Sequence, residues 1–173
     1  MILKFPQTIL LTLFISSFIS CTHSLNDGDS PYDHFFGESI FDSDMKNEIT
    51  FKNNTDRDAI ICLLDTVSNE TIRNEYIRTY SIYKMENVPN GVYFMKVFYG
   101  SDWDMHALLN EGKIRGGFTN NVSYTISDGG NEHITMEHYS KDEGSQWSVW
   151  SVSLKSKDGN IKSRDITADT FFN

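Results

Sequence analysis

Few residues in this chain are both chemically able and suitably spaced. The only cysteines are Cys21 and Cys62. Cys62 lies inside the apolar run Ala59-Ile60-Ile61-Cys62-Leu63-Leu64, where a thiol is inert core material. Cys21 closes an apolar N-terminal run and is the one thiol placed for chemistry. His133 and His138 are five residues apart, so on a strand they face opposite ways. His133 and Glu137 share a face but stand about 13 Å apart at about 3.3 Å per residue, against metal–ligand distances of about 2 Å. Asp102, Asp104 and His106 alternate, yet Ca²⁺ takes about six to eight oxygens, and the pattern reads as a solvated loop around Trp103. No Gly-x-Ser-x-Gly, His-Glu-x-x-His, Cys-x-x-Cys or EF-hand pattern occurs. These residues predict no catalytic site, no metal, no cofactor and a chain that is not an enzyme.

The aromatic residues are the better lead. Trp103, Trp147, Trp150, Tyr99 and Phe118 could line a platform for a sugar ring or a partner. At strand spacing Trp150 falls on the core face. Trp147 faces the other way, so Trp103 and Trp147 are the candidate binding residues.

Two segments precede the elements that would position these side chains. In residues 1–20 the only charge is Lys4, followed by an apolar run from Ile9 to Ile19. That is a signal-peptide pattern, and at about 16 Å of helix it is too short to cross a hydrocarbon core of about 30 Å. The run ends Phe18-Ile19-Ser20-Cys21, which resembles the bacterial lipobox, with Phe18 where Leu is usual. The resemblance implies cleavage before Cys21 and a diacylglyceryl thioether on it. It also implies palmitate-type acylation and a lipid-anchored protein of the cell envelope, at the outer membrane or cell surface. Cys62 would then have no disulfide partner.

Removing residues 1–20 takes away one charge, Lys4, so the formal charge of −9 becomes −10. That balance excludes nucleic acid as a partner, since nothing supplies a phosphate-neutralising patch. It also disfavours electrostatic docking on anionic lipid, leaving lipid on Cys21 as the membrane contact. Residues 21–47 read as an acidic tether, with six acids against Lys46 and breaks at Gly28, Pro31 and Gly37. As a coil it would reach on the order of 25–30 Å. Within it, Tyr32, Phe35, Phe36, Ile40 and Phe41 could dock on the domain or on a partner.

From residue 48 to 173 the alternation has period two. Strands are expected at 48–51, 59–64, 71–77, 83–85, 92–99, 122–126, 132–138 and 146–154. A turn falls at Val88-Pro89-Asn90-Gly91 and another at Asp158-Gly159. Residues 100–121 break the rhythm with four glycines, and Met105 to Leu109 could form a helical turn. Short strands with turns every 8–12 residues predict one all-β domain, a single antiparallel β-sandwich of Ig-like or prealbumin-like type.

The stretches Thr71-Ile72-Arg73-Asn74-Glu75-Tyr76-Ile77-Arg78, Val88-Pro89-Asn90-Gly91-Val92-Tyr93 and Gly100-Ser101-Asp102-Trp103 resemble small lipoproteins of Gram-negative bacteria. The Pro-x-Gly-x-Tyr turn is similar to carboxypeptidase-regulatory-like sandwiches, in which the turn joins two strands and the Tyr enters the core. The resemblance implies an accessory module without catalytic residues. Two functions are expected from this. One is a membrane-tethered binding or assembly module with an envelope protein as partner. The alternative is a surface carbohydrate- or ligand-binding lipoprotein that uses exposed aromatics.

Overall fold

A computed structural model describes residues 24–127, 132–141, 144–154 and 160–173. The signal segment 1–20, Cys21 and the expected Asp158-Gly159 turn lie outside the described residues. The strands are β1 (Glu48–Lys52), β2 (Asp58–Asp65), β3 (Thr71–Ile77), β4 (Ile82–Met85), β5 (Gly91–Leu109), β6 (Ile114–Ile126), β7 (Ile134–Met136), β8 (His138–Lys141), β9 (Gly144–Trp147), β10 (Val149–Ser153) and β11 (Arg164–Ile166). Two short helices, α1 (Asp33–Phe36) and α2 (Ala168–Phe172), complete the described elements.

The alternation builds the expected all-β sandwich. The larger sheet has the order β11-β6-β5-β2-β3, with β7 also on β5, and the smaller has the order β10-β1-β4. Pairing is antiparallel except between β1 and β10, which run parallel. β8 and β9 form a separate two-stranded ribbon.

Between the sheets, Phe51, Met85 and Val152 of the smaller sheet meet Ile61, Leu63 and Val97 of the larger one. The opposite face of the larger sheet is buried too. There Ile60, Cys62, Phe98 and Phe118 are covered by Leu25 and Tyr32 from the N-terminal side and by Phe171 and Phe172 of α2. Burial on both faces is why the 59–64 run is apolar without interruption. Side chains on alternate faces of β2 each enter a core. Burial pushes the Cys62 thiol well above its ordinary pKa, as expected of a core cysteine.

At the Val88-Pro89-Asn90-Gly91 turn, Val88 and Tyr93 are buried, and the Tyr93 hydroxyl donates to the Pro89 carbonyl at 3.0 Å. Asn47, also buried, donates to the Val88 carbonyl and accepts from the Ser148 amide, tying β1 to both neighbouring turns.

Two expectations are corrected. First, residues 100–121 are not a loop and contain no helical turn. β5 continues to Leu109 and returns as β6, making a hairpin arm whose Ile114 and Phe118 pack into the core on the outer face of the larger sheet. Register shifts between Tyr99/Ser101 and Asp104/Leu108 absorb the irregularity. The glycines mark places where a ring crosses the backbone rather than breaks. A Cβ at Gly100 would overlap Phe118, and one at Gly116 would stand 2.7 Å from the Trp103 ring.

Second, the stretch read as a free tether is packed from Leu25 onward. Gly28 N–H donates to Tyr76 O at 2.9 Å, Tyr76 N–H to Asp29 O at 2.8 Å, and Ile40 N–H to Ile72 O at 2.9 Å. Buried Asn74 accepts from the Tyr32 amide and donates to Asp33 Oδ1, each at 2.7 Å. The segment therefore satisfies the outer edge of β3, which would otherwise be open to pairing with another chain. Of its large apolar residues, Tyr32 is fully buried and Phe36 half-buried, whereas Phe35, Ile40 and Phe41 stay exposed.

Candidate functional site

Trp103 is held by the arm and by the N-terminal segment together. It pairs with Phe118 across β5 and β6. Asp102 has a φ of 58° and Gly116 a φ of 87°, so the backbone kinks on both strands beside the ring. The indole lies edge-on to Phe118 at 5.5 Å between centroids, and Tyr32 stands 6.0 Å away. The Tyr32 hydroxyl donates to Gly116 O at 3.2 Å, which bolts the N-terminal segment to the arm. Burial raises the Tyr32 pKa far above its ordinary value, so that hydroxyl keeps its proton.

The space left between arm and segment is a cleft of about 440 Å³. Leu25, Pro31 and His34 form one wall; Trp103, Met105 and Arg115 form the other, with Gly116 at the base. Its lining is mainly apolar, and its volume lies in the usual range for small-molecule sites, about 300–1,000 Å³. His34 Nδ1 is 3.1 Å from Pro31 O, which fixes the ring at the mouth. Arg115 is exposed, and its guanidinium makes no hydrogen bond or ion pair among the described residues.

Trp147 is elsewhere. It is half-buried on the β8–β9 ribbon and stacks on His138 at 4.0 Å between centroids, with planes 13° apart. It lines no part of the Trp103 cleft. The aromatic platform does not assemble either. Tyr99 points between the sheets with its hydroxyl on Leu154 O, whereas Phe118 belongs to the opposite core. Trp150 packs against the inter-sheet core and donates to Thr135 O.

Two carboxylates of the arm, on Asp102 and Asp104, are occupied locally. Asp102 accepts from Asn120 Nδ2 at 2.6 Å and Asp104 from the His106 amide at 2.8 Å. No group of His, Cys, Asp and Glu among the described residues is arranged to hold a metal ion. No described helix is long and apolar enough to cross a membrane.

Three buried charges were not singled out from the sequence. Arg73 and Glu75, next-but-one on β3, pair inside the sandwich with 1% of each side chain exposed. Arg73 also donates to Glu86 O, and the Phe41 ring lies 3.9 Å from its guanidinium carbon. Lys96 faces α2 and donates to Phe171 O at 3.2 Å, and burial lowers its pKa. Arg73 and Glu75 stand at every second residue of a strand, but nothing local says that its polar face is covered.

Compared with known proteins, the chain matches no family model, no curated protein and no solved structure.

Proposed function

We propose that the chain is a non-enzymatic lipoprotein of the cell envelope, anchored by lipid on Cys21, and that its β-sandwich binds a small apolar ligand in the Trp103 cleft. The observation that carries this reading is the cleft itself: concave, mainly apolar and walled by two separate segments. Its aromatic residue is backed by Phe118 and Tyr32, so the ring is held ready for a ligand. The alternative of a protein partner adding a strand draws less support. At two of the four outer strands the edge is closed: that of β3 by residues 28–40, and that of β10 by Asn160, which bonds Ser151 O and Ser153 N, whereas β4 and β11 pair only with β1 and β6 among the described residues.

The anchor rests on the signal pattern and on Phe18-Ile19-Ser20-Cys21. Leu25, which lines the cleft, comes four residues after Cys21. Even fully extended, four residues span at most about 14 Å. An anchored cleft would therefore open close to the bilayer surface, far nearer than a free tether would hold it.

Two arms test the proposal. Palmitate label should enter the parent chain and not Cys21→Ala, which should leave the membrane fraction; a labelled or membrane-bound Cys21→Ala chain removes the anchor. The uncharged fluorophore N-phenylnaphthylamine should bind the unlipidated chain and lose about tenfold in affinity with Trp103→Ala, from lost aromatic contact worth about 1.5 kcal/mol. Equal binding by parent and variant would place the ligand elsewhere.

A further inference from the structure

We infer that the Trp103 cleft takes a single-chain amphiphile with an anionic head, its chain along Leu25, Pro31, Met105 and the Trp103 ring and its head on Arg115. This rests on the cleft being the binding site and adds the class of ligand.

The charge distribution is the first ground. The chain has five arginines and an overall charge of −9. In so acidic a protein a guanidinium readily finds a partner, and four of the five do. Arg57 donates to Asn121 O and Ser123 Oγ, Arg73 pairs with Glu75, Arg78 interacts with Tyr76, and Arg164 also has a partner. Arg115 alone has none among the described residues, and it stands at the wall of the apolar cleft. Of the three acids on the arm, Asp102 and Asp104 are held by Asn120 and the His106 amide, and Glu111 forms no ion pair with Arg115. A guanidinium left free beside apolar surface offers a charge-assisted, bidentate site for a carboxylate or phosphate.

The lining is the second ground. Leu25, Pro31 and Met105 are aliphatic, and Met105 is flexible enough to follow a chain of variable shape. A sugar would need several polar groups for its hydroxyls; here the side chains with hydrogen-bonding heads are His34, Arg115 and the single indole N–H of Trp103. One cation at the rim of an aliphatic hollow matches one anion on one chain.

The test uses the chain from residue 21 onward carrying Cys21→Ala, free of detergent, with N-phenylnaphthylamine as the reporter. Decanoate, decyl phosphate, decanol and decyltrimethylammonium compete for it. Decanoate or decyl phosphate should displace the reporter at least tenfold more tightly than decanol, because hydrogen bonds to charged groups contribute about that factor. The tighter of the two names the head group, and the cationic analogue should be weakest. Lengthening the chain should tighten binding by up to about fourfold per methylene until the cleft is filled. Arg115→Gln, at an exposed position with no partner to lose, should keep the fold and bring decanoate and decyl phosphate down to the affinity of decanol. Decanol binding as tightly as decanoate, or an unchanged preference in Arg115→Gln, overturns the inference while leaving the cleft as a site. A reporter that does not bind the parent chain overturns the cleft reading, and the inference with it.

Discussion

Truncating Tyr32 to Ala is expected to destabilise the protein by about 3–5 kcal/mol, as for other buried aromatics cut to Ala. Tyr32 is fully buried and contacts the rings of Phe98, Trp103 and Phe172. Its removal opens a cavity between the N-terminal segment, the larger sheet and α2. Against a usual total of about 5–15 kcal/mol, that loss is large. It should also weaken ligand binding, because the wall formed by Leu25, Pro31 and His34 is pinned to the arm through the Tyr32 hydroxyl on Gly116 O. Tyr32→Phe separates the two effects. It keeps the ring packing and should cost only about 0.5–1.5 kcal/mol for the lost hydrogen bond. Urea denaturation followed by fluorescence and circular dichroism measures both variants. A loss under about 1 kcal/mol for Tyr32→Ala would mean the segment contributes little to the fold.

A second large effect is expected from Arg73→Met. The variant leaves Glu75 in the sandwich interior without its cation, and breaking a buried pair on one side costs about 3–5 kcal/mol. Burial raises the Glu75 pKa in the native protein, while Arg73 draws it back down. The Tyr83 hydroxyl beside the carboxylate also lowers it, and the Asp33 carboxylate pushes it up. Removing Arg73 must therefore raise the Glu75 pKa further. For an acid whose folded pKa lies above its unfolded value, the folded state binds more protons across the interval between the two. Stability then falls as pH rises through that interval. The deficit of Arg73→Met should accordingly be smallest at or below the ordinary glutamate pKa of about 4.3 and grow toward neutral pH. Pairing it with Glu75→Leu should restore most of the loss, because an apolar pair of similar volume replaces two buried charges. A deficit independent of pH, or no recovery in the double variant, would contradict this account of the pair.

How far the sequence speaks depends on whether a contact is local. The 59–64 run and the Pro89-Gly91-Tyr93 turn encode their structure in consecutive residues and can be read directly, whereas the strand from Thr71 to Ile77 can be read as a strand but not the burial of its Arg73, Asn74 and Glu75. The arm was harder to read because its glycines look like breakers. Only the partner strand reveals that Gly116 makes room for Trp103. The second core was hidden for a related reason. Phe94, Lys96 and Phe98 alternate as an opposite face, but no local signal says that α2 and residues 25–36 cover it. The tether reading failed because the partners of Tyr32 are Asn74, Phe98, Gly116 and Phe172, which no spacing within residues 21–47 could indicate. Trp103 was found by residue type, yet its cleft needs Leu25 and His34 from one segment and Arg115 from another. Trp147 has the same residue type, but its ring is taken up by His138.

The central claim is that residues 25–40 belong to the sandwich and wall its cleft. Hydrogen exchange at individual amides tests it most directly. The amides of Gly28, Tyr32, Ile40 and Tyr76 donate to Tyr76 O, Asn74 Oδ1, Ile72 O and Asp29 O. If the segment is integral, these amides exchange slowly in the native chain, in step with the core of β2 and β5. Rapid exchange at 28, 32 and 40 beside a protected β2 would show a free tether, and the cleft would lose the wall that Leu25, Pro31 and His34 supply.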